Sequence, residues 1–163
     1  MKPVPFLTLC VIALILVSCI SASESAPPAT IDTGIDPESW ALVPAGEFFT
    51  GLHNHETLVD YDYEIMVTDV TNQQYARFLN QAGQDGSIGF QGAIPVGYYP
   101  GDEFHGHEHE EEIPEGMYQL AAMDDPGMRI ELEGSTYVPI PGYENHPATL
   151  VTWFGAREYC QYY

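Results

Sequence analysis

The chain has 163 residues, which suits one domain, and 45% of them are apolar, with 2 Trp, 11 Tyr and 7 Phe. Aromatic residues at that density can bury a core, which excludes disorder from end to end. The formal net charge is −20, with Lys2, Arg77, Arg129 and Arg157 set against 24 acidic residues; this excludes nucleic-acid backbone binding, which needs a basic footprint, and repels anionic lipid surfaces. A saline habitat and divalent-cation binding both suit such a charge, and composition does not choose between them.

The first residues read as a targeting segment. Lys2 is the single charge before a continuous apolar run from Phe6 to Val17, about the length of a signal h-region. A membrane-spanning helix needs ~20 apolar residues, so the run is short for one. Leu16-Val17-Ser18-Cys19 resembles a bacterial lipobox, where cleavage precedes a cysteine that is then lipidated. That reading gives a signal peptide over 1–18 and lipidation at Cys19. The alternative is an ordinary signal peptide cut near Ala22 or Ser23. Residues 19–37 are rich in Ser, Ala, Pro and Thr and have no apolar period, the composition of a flexible tether. Such a tether holds a domain, here 38–163, away from a membrane.

Trp40 to Gly51 predicts a hairpin, with Ala41-Leu42-Val43 and Phe48-Phe49-Thr50 flanking the turn residues Pro44-Ala45-Gly46-Glu47. His53 and His55 then fall in a surface turn, and Tyr63 to Val67 predicts a strand. Thr71 starts the clearest helix. Thr71-x-x-Gln74 is a capping box, Tyr75, Phe78, Leu79 and Ala82 share one face, and Gly83 supplies a left-handed end. The helix is expected over Asn72 to Ala82.

Gln84 to Met128 shows no sustained period and predicts a long irregular loop. Its distinctive piece is Phe104-His105-Gly106-His107-Glu108-His109-Glu110. In an extended chain His105, His107 and His109 project to one side, and imidazoles beside carboxylates suit zinc or copper. The bland alternative is a solvated acidic loop with incidental histidines. Ile130 and Leu132 alternate with charged residues before Glu133-Gly134, which predicts a half-exposed hairpin with Ser135 to Ile140.

The closing stretch predicts a buried strand over Ala148 to Val151 and then a helix capped by Thr152. Trp153, Ala156, Tyr159 or Cys160, and Tyr163 form its expected apolar face. The sequence stops on that face without a glycine or polar tail, which predicts a fragment of a longer protein. Cys160 reads as a buried structural thiol; the alternative is a disulfide to a cysteine beyond Tyr163, which an exported protein permits.

Three segments carry a family resemblance. Asn145-His146-Pro147, Val151-Thr152-Trp153, Gly155-Ala156 and Tyr159-Cys160 resemble the "HPV-x-x-VSW-x-x-A-x-x-YC" segment of the formylglycine-generating enzyme, or sulfatase-modifying factor, family. Asp69-Val70-Thr71-Asn72-Gln73-Gln74-Tyr75-Ala76-Arg77-Phe78 resembles that family's "EVTN-x-x-Y-x-x-F" helix. Val43-Pro44-Ala45-Gly46-Glu47-Phe48, with Gly51, resembles its opening "IPAG-x-F-x-MG" hairpin. The chain departs from the pattern at Leu52, Asp69, Ala148 and Leu150. The matches keep the family's order from Trp40 to Tyr163.

The resemblance implies an α+β domain of variant C-type-lectin-like fold, irregular with long loops, of which 38–163 would be the N-terminal part. Founding members oxidise a sulfatase cysteine to formylglycine with copper held by a cysteine pair, and use calcium as a structural ion. The family's "RLPTEAEWE", "GNVWEW" and "RGGS" stretches and its cysteine pair have no counterpart here. No catalytic residue is therefore carried onto this chain, and the fragment by itself is expected to be inactive and poorly folded. The leading expectation is an exported, membrane-anchored enzyme of the formylglycine-generating type. The runner-up is a non-catalytic surface lipoprotein of the same fold, as in gliding motility. A relative of the ergothioneine-pathway sulfoxide synthases ranks last, because those are typically cytoplasmic with an added helical domain. Expected partners are a membrane through the lipid anchor, and a protein or peptide substrate or cell-envelope proteins, not nucleic acid.

Overall fold

The computed structural model describes residues 34–51, 53–106 and 110–163. Its core is built on helix α1, Asn72–Asp85. Thr71 caps it: the Thr71 hydroxyl accepts from Gln74 N at 3.2 Å, and Gln74 Oε1 accepts from Thr71 N at 2.8 Å. This is the reciprocal capping box that the spacing predicts. Tyr75, Phe78, Leu79 and Ala82 are all buried. The helix runs one turn past the expected end, because Gly86, at φ 83°, is the left-handed C-cap instead of Gly83. Gly83 has a different role. A Cβ there would lie 2.5 Å from the Phe90 ring, so glycine lets that ring lie on the helix.

The strands before α1 correct the first expected hairpin. β1 (Trp40–Val43) pairs antiparallel with β4 (Tyr63–Met66), and β2 (Gly46–Thr50) with β3 (His55–Val59). The pairs are nested, and the reversal comes at Gly51–Asn54, not at Pro44–Glu47. Gly51 at φ 68° and Asn54 at φ 52° take the left-handed conformations that a tight reversal needs. At the expected turn the chain is held instead by Ala45 N, which donates to Asp62 Oδ1 at 2.8 Å.

The stretch expected as an irregular loop carries a three-stranded antiparallel sheet: β5 (Gly89–Gln91), β6 (Ile94–Tyr99) and β7 (Gly116–Gln119) in that order. It also supplies the buried side chains Ile88, Val96, Tyr99, Leu120, Ala121 and Met128. Pro95 and Gly97 disguise β6 in the sequence. Both are buried, and a Cβ on Gly97 would press on Glu158 and Leu120 side chains. A small residue is required where a helix crosses the sheet closely.

β8 (Ile130–Glu133) and β9 (Thr136–Pro139) form the expected hairpin around Gly134. Ile130 faces inward and Leu132 is exposed. β9 docks on α1 through Asn80, whose amide donates to Tyr137 O and accepts from Tyr137 N, both at 2.8 Å. One side chain thus satisfies both backbone groups of a strand residue, as a neighbouring strand would.

Ala148 to Val151 is not a strand. It makes isolated bridges at Pro147 to Thr71 and at Val151 to Ala121, and Leu150 between them sits at φ 60°. That left-handed residue breaks the extended run. Helix α2 (Trp153–Tyr162) follows, and Thr152 caps it by accepting from Gly155 N at 3.0 Å.

α2 is rotated from the expected orientation. Gly155 and Tyr159 are buried and Phe154 and Tyr162 pack on the core, whereas Trp153, Ala156, Cys160 and Tyr163 are exposed. Gly155 decides this. A Cβ there would overlap the Leu120 carbonyl, so this helix edge alone can press against the end of β7. Phe154 then stacks on Tyr118 with ring centroids 3.9 Å apart, and Tyr159 stacks on Tyr75 at 6.0 Å. The whole is a mixed α+β arrangement of two helices with short antiparallel sheets.

Candidate functional site

Cys19, His107 and His109 lie outside the described residues. His105 is described. Its Nδ1 lies 2.9 Å from Glu110 Oε1, and its backbone N donates to the same oxygen at 2.9 Å. The imidazole side chain is 62% exposed, so this contact lies at the surface. Cys160 is a free thiol and is exposed, which corrects the expected burial. The cause is the α2 rotation set by Gly155. His53 and His55 are exposed, with rings 6.0 Å apart edge to face.

A groove lies beside α2 and reaches Cys160. One part, about 400 Å³, is lined by Asp69, Val70, Tyr75, Ala148, Val151, Ala156, Tyr159 and Cys160, with Pro147. An adjoining part, about 660 Å³, is lined by Trp40 and residues 64–70, and shares Asp69, Val70, Tyr159 and Cys160 with the first. The shared residues make the two parts one groove. It exists because α2 turns Ala156 and Cys160 outward, and because Leu150 bends 147–151 away from a regular strand.

Its two phenols, Tyr75 and Tyr159, stay protonated. Tyr75 Oη donates to Leu120 O at 3.2 Å, and burial pushes its ionisation far above the ordinary tyrosine range. Burial also pushes Tyr159 up to about 12. Both stay neutral at physiological pH. Beyond the groove, Gln74 Nε2 donates to Pro37 O and Glu38 Oε1, each at 3.1 Å, and Arg77 donates to Glu38 Oε1 at 3.0 Å. Hydrogen bonds from Gln74 and then Arg77 hold the Glu38 carboxyl below its ordinary range. Pro37, the last residue of the expected tether, is thereby fastened to α1.

The Asn72 contacts join two of the three resembling segments. Asn72 Nδ2 donates to Tyr143 O at 2.9 Å and to His146 O at 3.1 Å, which ties the "VTN" segment to the "NHP" segment. A family model, the sulfatase-modifying factor enzyme 1-like domain, matches residues 29–163. The chain belongs to this family. No match was found among curated proteins or among solved structures.

For a sulfatase-modifying factor domain, copper and calcium are the ions to test against the residues. Among the described residues no three His, Cys, Asp or Glu side chains converge to hold a metal. Cys160 is the one described cysteine, whereas soft-metal sites are built from several thiolates or imidazoles together. The described residues do not fit either ion, and no chemical step is assigned to a metal here. Sequence reasoning missed Trp40, Glu64 and Asp69 as groove residues. The only signal was Asp69 at the head of the "DVTN" segment, since the groove is made by elements far apart in the chain.

Proposed function

We propose that this chain is an exported, lipid-anchored member of the sulfatase-modifying factor family, with a variant C-type-lectin-like fold and the formylglycine-generating reaction, oxidation of a protein cysteine, as its whole-protein activity. The family match over 29–163 carries the reading. Leu16-Val17-Ser18-Cys19, the lipobox-like stretch, supports the anchor, and the Ser/Pro-rich 19–37 supports a tether between membrane and domain. The substrate in this reading is a protein or peptide at the cell envelope. Copper and calcium belong to the same reading and require ligands other than the described residues. The part played by 38–163 is scaffolding: α1 and α2 pack on each other through Tyr75, Phe78 and Tyr159, with β9 against α1 and β6–β7 against α2.

The second reading, a non-catalytic surface lipoprotein, draws on the same lipobox. Two measurements separate the outcomes. A palmitate analogue should label the wild-type chain in cells and not Cys19→Ala. Equal labelling, or release of the wild type into the medium, overturns the anchor. The full-length gene product, incubated with a cysteine-containing sulfatase peptide, should convert that cysteine to an aldehyde detectable by mass. Retention of label with no aldehyde leaves the structural lipoprotein and overturns the oxidase.

A further inference from the structure

The turn that joins β2 to β3 brings two imidazoles together. His53 lies in the turn and His55 opens β3, and their rings meet edge to face with centroids 6.0 Å apart. Between them Asn54 sits at φ 52°, and with Gly51 at φ 68° it sets how the two side chains approach. The backbone under the pair is pinned. Asn54 N donates to Gly51 O at 3.4 Å, and Thr50 faces His55 across the ladder. The Thr50 and Thr57 hydroxyls bond each other at 2.8 Å, and each lies 3.4 Å from the His55 carbonyl oxygen.

We propose that His53 and His55 form a two-imidazole chelate for a late first-row divalent cation of the nickel, copper or zinc class. Metal–nitrogen bonds of ~2.0–2.1 Å hold two imidazoles on one ion with ring centres about 4.5–5.5 Å apart, so closing the pair takes a shift of under about one ångström. Both side chains are exposed, and such rings can turn about their χ angles without disturbing the core. Imidazole suits these ions, whereas calcium and magnesium take oxygen ligands. The charge around the pair favours a cation as well. No lysine or arginine occurs between Lys2 and Arg77, Glu56 follows His55 directly, and the whole chain carries −20. An ion held here fixes the turn of a ribbon that contributes no side chain to the buried core. The chelate therefore supplies local stability that burial does not. It is separate from the His105 to His109 motif and uses no reacting group, so it stands whether or not the protein is catalytic.

Amide hydrogen exchange of residues 49–57 in the full chain, read by mass spectrometry with and without nickel(II) chloride, tests it. Exchange there requires the hairpin to open. An ion that binds the closed turn alone slows exchange by the factor 1 + [Ni]/Kd, about tenfold at nine times Kd, and the slowing rises linearly with nickel. His53→Gln and His55→Gln should each remove the slowing. His105→Gln, His107→Gln and His109→Gln together should leave it intact. Asn54→Gly keeps the left-handed turn and should retain the effect; Asn54→Val disfavours that turn and should weaken it at least about threefold. Calcium chloride should slow nothing. No slowing by nickel, slowing that survives His55→Gln, an undiminished effect in Asn54→Val, or equal slowing by calcium each overturns the proposal.

Discussion

Gly155 of α2 lies against the carbonyl of Leu120 so closely that a methyl group has no room between them. That carbonyl is also the acceptor for Tyr75 Oη at 3.2 Å, Thr152 N at 3.0 Å and Thr152 Oγ1 at 3.2 Å. One backbone oxygen therefore gathers α1, the cap of α2 and the end of β7. Gly155→Ala should push the helix off this point, with an overpacking cost of ~1–3 kcal/mol, read as a lowered urea midpoint. Tyr75→Phe should cost less, ~0.5–1.5 kcal/mol, because Thr152 still satisfies the carbonyl. A glycine-to-alanine change without effect would mean that α2 is not seated there.

Phe78 is fully buried among Tyr75, Tyr159 and Tyr162, with ring centroids 5.4, 5.4 and 5.6 Å away. Phe78→Ala should cost ~3–5 kcal/mol by equilibrium unfolding. A loss below ~1 kcal/mol would show an exposed ring and a misplaced helix face.

α1 was legible from sequence because its cap, its period and its buried face all lie within one short stretch. The β8–β9 hairpin was legible for the same reason. The three-stranded sheet was not, since its short strands carry Pro95 and Gly97 for the sake of a helix that approaches from residues 153–162. Nor was the inward face of α2. Of the expected face, Tyr159 is buried, but Trp153, Ala156 and Tyr163, and Cys160 as its alternative, are exposed, because the close contact at Gly155 outweighs the hydrophobic pattern. Leu150 at φ 60° hid the end of the supposed strand, because leucine gives no sign of a left-handed residue. The groove was invisible for a related reason: its walls come from three separate segments. The histidine motif placed only His105 among the described residues, where Glu110 engages it.

Glu38 should give a small acid-dependent contribution. Its carboxyl is held below the ordinary range by Gln74 and then Arg77, so its stabilisation is complete above that range. It is lost as pH falls through the lowered value, because the unfolded chain takes up the proton first. The pair with Arg77 is largely exposed, 43% and 54% for the two side chains, so Glu38→Gln should cost less than ~1 kcal/mol at neutral pH. Thermal melts across the acid range should show the two proteins converging as pH falls. A difference that grows toward acid would contradict the lowered carboxyl.

Tyr159 sets the opposite limb. Its phenol is pushed up to about 12 by burial, above the ordinary tyrosine value of 10.0. Between those values the unfolded chain has released its proton and the folded chain has not. Rising pH therefore favours unfolding, and the contribution present below the unfolded value disappears as pH passes the folded one. Tyr159→Phe, which cannot ionise, should lose less of its melting temperature across that interval than the wild type. Parallel curves would show that the ring is open to solvent in the folded state.

The β1–β4 and β2–β3 ribbons should be the least protected part of the described chain. Each is a two-stranded sheet, and such pairs are marginally stable in water unless a face is covered. Phe49 and Leu58 are 67% and 65% exposed, whereas Phe78 and Leu79 on α1 are at 0%. Burial, more than backbone hydrogen bonding, makes opening costly, and these ribbons bury little. The β2–β3 pair turns neither face to the core, while β4 reaches it through Met66. Amide hydrogen exchange should therefore be ordered: β2–β3 fastest, β1–β4 next, α1 slowest, with a span of about a hundredfold or more between the ends. Exchange in β2–β3 as slow as in α1 would show that these apolar faces are covered in solution, and the order argued from their exposure would fall.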